Sequence, residues 1–260
     1  MLLLGLLGLA SWRWLDRRAD DLARKRLMKV AGPAAAAFDP AMIEGLPEPA
    51  QRYFLYMIEP GAPLRRAVEI EMTGEIEFGT KERPDYRPMS ARQILAPPHG
   101  MVWRAKAGSI SGSDGATPDS SWTRFWLFGL VPVVRVSRND DHRRSAFGRV
   151  IAEAALWAPA SLLPGENVTW APLDATSARA IVRFGEFTQA VDITVAEDGR
   201  PIRSLIQRWS NENPDKVFRE QPFGGDMSEF RTFGGYRLRH GSRAAIISAR
   251  TRIFPSSRRM

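Results

Sequence analysis

The spacing of apolar and polar residues divides the chain into stretches of helical period and stretches of period two. The longest helical stretch lies within Asp140–Trp170. There Phe147, Val150, Ile151, Ala154, Trp157 and Ala158 recur every three or four residues, which places them on one face of an α-helix. Asp140 or Asp141 supplies the starting cap, and Pro159 and Pro164 end the helix. Arg149 and Glu153 stand four apart on the opposite side. A shorter helix is predicted over Leu46–Ile58, with Leu46, Ala50, Tyr53, Phe54 and Met57 on one face and Pro47 in its first turn.

From Arg66 the period changes to two. Val68, Ile70, Met72, Ile76 and Phe78 alternate with Glu69, Glu71, Thr73, Glu75 and Glu77, a strand with one apolar and one acidic, solvated face. Strands are also expected at 88–95, 101–107 and 109–111, followed by a polar loop over Ser111–Ser121. Trp122–Val136 is the most apolar segment of the body, and its aromatics follow no clean period. They fit a core, a ligand-cavity wall or a face touching lipid. Further strands are expected at 167–170, 177–184, 188–196 and 202–209, with Asp198-Gly199 as a hairpin turn. Met227–Leu238 reads as one more strand, bulged or turned at Gly234-Gly235. Short connections between about ten strands imply antiparallel pairing.

The first residues, MLLLGLLGLA, are almost wholly apolar, and Trp12, Trp14 and a run of basic residues follow. A membrane span takes about 20 apolar residues, and this run offers roughly 10 to 15. Positive charge placed after the apolar run is the reverse of a cleavable signal peptide. Tryptophans beside basic residues suit a membrane interface, so we read residues 1–30 as a hydrophobic anchor, its beginning upstream of Met1, with a basic juxtamembrane segment. The competing reading is an ordinary buried helix.

Charge sharpens this picture. The net charge is +8, yet residues 1–30 hold seven Lys/Arg against three Asp, and 240–260 hold five Arg and no acid. The body between is close to neutral and has no basic cluster interleaved with aromatics, which argues against nucleic-acid binding. With no cysteine, disulfides and thiolate chemistry are excluded. His99, His142 and His240 have no metal-ligand spacing, and no nucleophile elbow, phosphate loop or dinucleotide fingerprint occurs. No cofactor, metal or catalytic residue is therefore assigned.

Four phrases taken together resemble an uncharacterised, usually membrane-anchored bacterial family. They are LPEPAQRYF (46–54), the Trp103 strand leading to Ser111-Gly112, RSAFGRVIAEAALWAPASLLP (144–164) with Trp170 after it, and GGDMSEFRTFGGYRL (224–238). That domain is similar to the lipoprotein-carrier class of LolA and LppX, an unclosed antiparallel β-barrel whose concave apolar face is plugged by helices. The resemblance implies a mainly β fold, a half-barrel of curved antiparallel sheet over 46–239, preceded by a linker at 31–45. The cavity would be lined by Trp103, Trp122, Phe125, Trp126, Phe128, Phe147, Ile151 and Trp157, with Arg144, Arg149 and Glu153 at a polar rim. The implied function is membrane-tethered, non-enzymatic binding of a lipid or other hydrophobic ligand, at a bacterial inner membrane with the domain outside the cytoplasm. A structural or protein-interaction module of the envelope with a filled core is the alternative. A hydrolase using Glu153 or His142 is a weak third.

The basic tail at 240–260 departs from the family pattern, which continues with Gly-Asn-His-Phe-Gly-Thr and Tyr-Phe-Pro-Phe elements. Codons compatible with His240–Met260, read two bases later, encode RIEGGNHFGTDAYFPFFKAN, which carries both. A change of reading frame near Arg239 accounts for this. Resequencing the locus is expected to find a frame change there; an intact gene encoding the printed tail would rule it out.

Overall fold

The computed structural model describes residues 2–31, 36–78, 83 and 85–240. Part of the expected linker (32–35) and the tail from 241 onward lie outside the described residues. The protein is mainly β, antiparallel throughout, with no closed barrel among the described residues. It carries three α-helices, α1 (Leu2–Ala31), α2 (Glu48–Met57) and α3 (Asp140–Trp157). The chain forms two compact units, residues 1–31 with 67–146 and residues 32–66 with 147–260. The division falls within α3.

The first unit is a six-stranded meander in sequence order: β1 (Val68–Glu77), β2 (Tyr86–Ala96), β3 (Gly100–Ala107), β4 (Ile110–Thr117), β5 (Ser120–Leu127) and β6 (Val131–Ser137). Helix α1 lies against one face of it. The expected alternation in β1 is present, but Glu69 and Glu71 are not simply solvated, since they pair with Arg24 of α1 and Arg92 of β2.

The expected polar loop at Ser111–Ser121 is instead mostly strand β4. Its small residues are there because of β5. Gly115 faces Trp122, and a Cβ on Gly115 would overlap the indole ring; one on Gly112 would come within 2.7 Å of Phe125. Trp122 is held where it lies, buried and donating Nε1–H to Ser113 Oγ at 3.2 Å. A glycine- and serine-rich strand looks like a loop when read alone, yet here it is what lets two aromatic rings lie flat on the sheet.

The second unit is a five-stranded meander: β7 (Val168–Pro172), β8 (Ser177–Phe184), β9 (Phe187–Val195), β10 (Pro201–Ser210) and β11 (Arg219–Asp226). Asp198-Gly199 makes the β9–β10 turn as expected, with Gly199 at φ +81°. Strand β11 has no counterpart in the sequence reading. It is an edge strand, where the missing N–H of Pro222 is tolerated and little apolar patterning is needed. The segment Met227–Leu238, expected as one strand, is the hairpin of β12 (Phe230–Phe233) and β13 (Tyr236–Arg239), turned at Gly234-Gly235. Buried Tyr236 fastens it by donating to Pro63 O at 2.8 Å and accepting from Arg65 N at 2.9 Å.

Helix α2 and the later turns of α3 build the core of this unit. Tyr53 OH donates to Ala155 O at 3.0 Å, and the Tyr53 and Phe54 rings meet Trp170 of β7. Burial raises the Tyr53 pKa far above that of an ordinary phenol. Gly148 allows α3 to approach β9 and β10, because a Cβ there would come within 2.9 Å of Gln189 Oε1. The α3 start is capped by Asn139, whose Oδ1 accepts from His142 N at 2.9 Å, in place of the expected Asp140 or Asp141.

Substituting Gly115 by alanine is expected to destabilise the protein by about 1–3 kcal/mol through overpacking against Trp122. Denaturant unfolding of the variant measures it.

Candidate functional site

Helix α1 carries two different surfaces. Its first half is apolar, with Leu3, Leu4, Leu6, Leu7, Trp14 and Leu15 exposed. From Arg13 onward a charged stripe, Arg13, Asp16, Arg17, Asp20 and Arg24, repeats every three or four residues and runs along the sheet. Ala23 and Leu27 complete that contact by packing on Ile94, Ala96, Val102 and Trp122.

The sheet meets the stripe with a row of cations. The registers place Glu71, Arg92, Arg104, Ser113, Arg124 and Arg135 directly beside one another on β1 to β6. Like charges opposite each other on neighbouring strands repel, so this row needs carboxylates. Asp16, 6% exposed, makes a bidentate pair with Arg135 (2.7 and 3.0 Å) and accepts Trp126 Nε1–H at 3.0 Å. Asp20, 3% exposed, lies 3.4 Å from Arg104 and 3.8 Å from Arg124, and Asp21 binds Arg104 at 2.7 Å.

The two buried carboxylates respond differently. Burial would raise Asp16, but the Arg135 hydrogen bond and charge, with Arg124 and Trp126, outweigh it and hold its pKa below the ordinary value. Burial dominates at Asp20 and raises its pKa, against the Ser113 hydrogen bond and the charges of Arg104 and Arg124. One oxygen of Asp20 has no hydrogen-bond partner, and neither has the buried Nε of Arg13 or of Arg104.

Beside α1 these groups border a groove of about 720 Å³. The α1 side contributes Arg13, Arg17, Asp20, Asp21 and Arg24, and β1 to β3 contribute Glu71, Thr73, Ser90, Arg92, Arg104 and Lys106. Six cations therefore face three carboxylates.

None of the expected cavity aromatics lines this groove. Trp122 and Trp126 are buried, Trp126 edge-on to Trp12 at 5.5 Å. Trp103 and Phe125 contact each other at 6.3 Å, on the other face of the sheet, and Phe128 is exposed in the β5–β6 turn at φ +51°. In the second unit Phe147 stacks on Phe187, Ile151 is buried, and Trp157 Nε1 donates to Arg239 O at 3.3 Å. Arg144 is exposed on α3, while Arg149 and Glu153 form a largely buried ion pair at 2.7 Å. The groove arginines were missed because strand register is invisible in a single sequence. The visible signal was Asp16 and Asp20 at helical spacing among basic residues.

His142 has a more elaborate setting than its sequence neighbours imply. Thr123 Oγ1 donates to Asp114 Oδ1 at 2.8 Å, so it accepts from His142 Nε2 at 2.9 Å, and Nδ1 accepts from Ser121 Oγ at 2.7 Å. The composition resembles a nucleophile relay, but Ser121 is buried. The network pins the first turn of α3 to β4 and β5. Among the described residues, no cluster of His, Cys, Asp and Glu could hold a metal ion.

The model of a family of unknown function, DUF6544, matches residues 36–247. The chain belongs to the DUF6544 family. The DUF6544 span contains the whole arginine row of the sheet, whereas α1 precedes it. No curated protein and no solved structure matches the chain.

The opposite shifts of the two aspartates predict opposite pH behaviour. A lowered carboxylate pKa contributes stability above its unfolded value and loses it in acid. Asp16→Asn is therefore expected to destabilise the protein at neutral pH, with the difference vanishing as pH falls through the Asp16 pKa. The raised pKa of Asp20 reverses the sign: its contribution is fullest in acid and is lost as pH rises, so Asp20→Asn should improve relative to wild type toward neutral pH. Urea titrations between pH 3 and 8 compare the two.

Proposed function

We propose that this protein is a membrane-attached, non-enzymatic binder of an amphipathic ligand in the bacterial envelope, with its domain on the outer side of the inner membrane. The observation that carries the reading is the exposed apolar half of α1, with Leu3 and Leu4 70% and 69% exposed, continuing into the helix that walls the groove. No helix among the described residues is long and apolar enough to cross a membrane. On this reading the exposed apolar end of α1 inserts at the membrane interface, where Trp12 and Trp14 favour the headgroup level. The resemblance of the sequence phrases to the LolA and LppX carriers supports the ligand-binding part by analogy of fold.

A second reading, a structural module of the envelope, draws on one observation. Trp122, Trp126, Phe147 and Ile151 are buried in core. On the binding reading, the ligand is held through the polar groove beside α1.

Flotation with phosphatidylglycerol–phosphatidylethanolamine vesicles tests attachment. The full chain is expected to float with the vesicles, and Leu4→Glu with Leu7→Glu to lower the bound fraction at least tenfold. Wild-type protein that stays at the bottom of the gradient would refute it. Mass spectrometry of lipid extracted from purified protein separates the binder from the structural module.

A further inference from the structure

We propose that the groove between α1 and strands β1–β3 is a binding site for a phosphate group, held by Arg13, Arg17, Arg104 and Lys106. The proposal deepens the ligand-binding reading above and rests on it for one point, that the phosphate belongs to an amphiphile.

Arg24 is paired with Glu69, and Arg92 with Glu71. Arg104 is partly spent, its Nη2 on Asp21 and Arg17 O and its Nε 3.4 Å from Asp20. Arg17 and Lys106 have no ion pair among the described residues, and both line the groove. Arg13 lines it too, giving one Nη2–H to Ser111 Oγ at 3.2 Å while its buried Nε is unsatisfied. Its guanidinium lies 5.6 Å from the Trp126 ring centroid, which fixes its plane without spending its donors.

Arg17 and Lys106 thus bring positive charge without an ion pair to one opening, which Arg13 and Arg104 also border. An oxyanion with several acceptor oxygens can accept from more than one such cation at once. Burial and the like charge of Arg17 also depress the Arg13 pKa, a penalty that a bound anion would relieve. A phosphate fits better than a carboxylate, because three or more cations arranged around a volume need an acceptor facing several directions. The volume, about 720 Å³, exceeds what inorganic phosphate fills and leaves room for the rest of a headgroup. Arg17, Arg13 and the exposed leucines belong to the same helix, so a phosphate bound here belongs to a molecule reachable from the surface that the leucines enter.

Titration calorimetry of the full chain with dihexanoyl phosphatidic acid, kept below its micellar concentration, is the test. Saturable binding is expected. Arg17→Glu and Lys106→Glu, neither of which breaks a pair, should each weaken it at least tenfold. Arg26→Glu, the same charge change elsewhere on α1, should leave it within twofold. Inorganic phosphate competing at equal concentration would identify free phosphate as the source, and competition only by the lipid would identify a headgroup; both support the site. Absence of saturable binding, or equal loss in the Arg26 variant, overturns it. Phosphate binding that persists in a protein that does not float with vesicles would leave the site standing and remove the membrane reading instead.

Discussion

The first unit depends on the meeting of two charged rows. Strand register sets Arg92, Arg104, Arg124 and Arg135 across one face of the six-stranded sheet, interrupted only by Ser113. A sheet face of that kind cannot be closed by an apolar helix, since each buried guanidinium would lose its water without gaining a partner. Helix α1 resolves this with Asp16 and Asp20, four residues apart on its inner face, each set between two arginines. At Asp16, where the carboxylate is stabilised as an anion, removing one partner of such a pair costs about 3–5 kcal/mol, because the remaining charge stays buried and unpaired. The apolar patch of Ala23, Leu27, Val102 and Trp122 adds hydrophobic burial at the far end of the same contact.

The match is uneven along the row, and the unevenness locates the groove. At the β5–β6 end one carboxylate accepts short hydrogen bonds from Arg135 and from the indole N–H of Trp126, with Arg124 3.6 Å away, and it is stabilised as an anion. Toward β3 and β2 the helix contributes arginines of its own, Arg13, Arg17 and Arg24, to a face that is already cationic. Asp20 sits at the transition with one oxygen unpartnered. Positive charge is thus neutralised where α1 is seated on the sheet and left in surplus beside it.

How much of this could be read from the residues depends on the range of the interaction. Strands β8 and β9, the Asp198-Gly199 turn and helices α2 and α3 follow from local period, and all are found within a residue or two of expectation. Strand β4 was hidden because its composition answers to Trp122 and Phe125 on the next strand, not to its own alternation. Strand β11 was hidden because an edge strand with Pro222 and two glycines needs almost no apolar face. The arginine row was unreadable for a stronger reason. Arg92, Arg104, Arg124 and Arg135 become neighbours only once five strands are in register, and a shift of one residue would turn any one of them to the other face. The aromatics of the expected cavity do not form one group: Trp122 and Trp126 pack against α1, Trp103 and Phe125 meet on the other face of the sheet, and Phe147 stacks on Phe187 in the second unit.

The boundary of the family match gives this contact a further meaning. The arginines of the row belong to the DUF6544 span, and the aspartates that neutralise them stand before it, on α1. In this chain the cationic face of the sheet lies within the family span, and acidic groups from before that span complete it. A helix carboxylate and a ligand phosphate are interchangeable in this chemistry, since both accept from paired guanidinium donors. Helix α1 occupies part of such a face and leaves the rest open beside its own arginines. Helix α1 thereby sets the width of the groove, because its own Arg13, Arg17, Asp20, Asp21 and Arg24 form one wall of it.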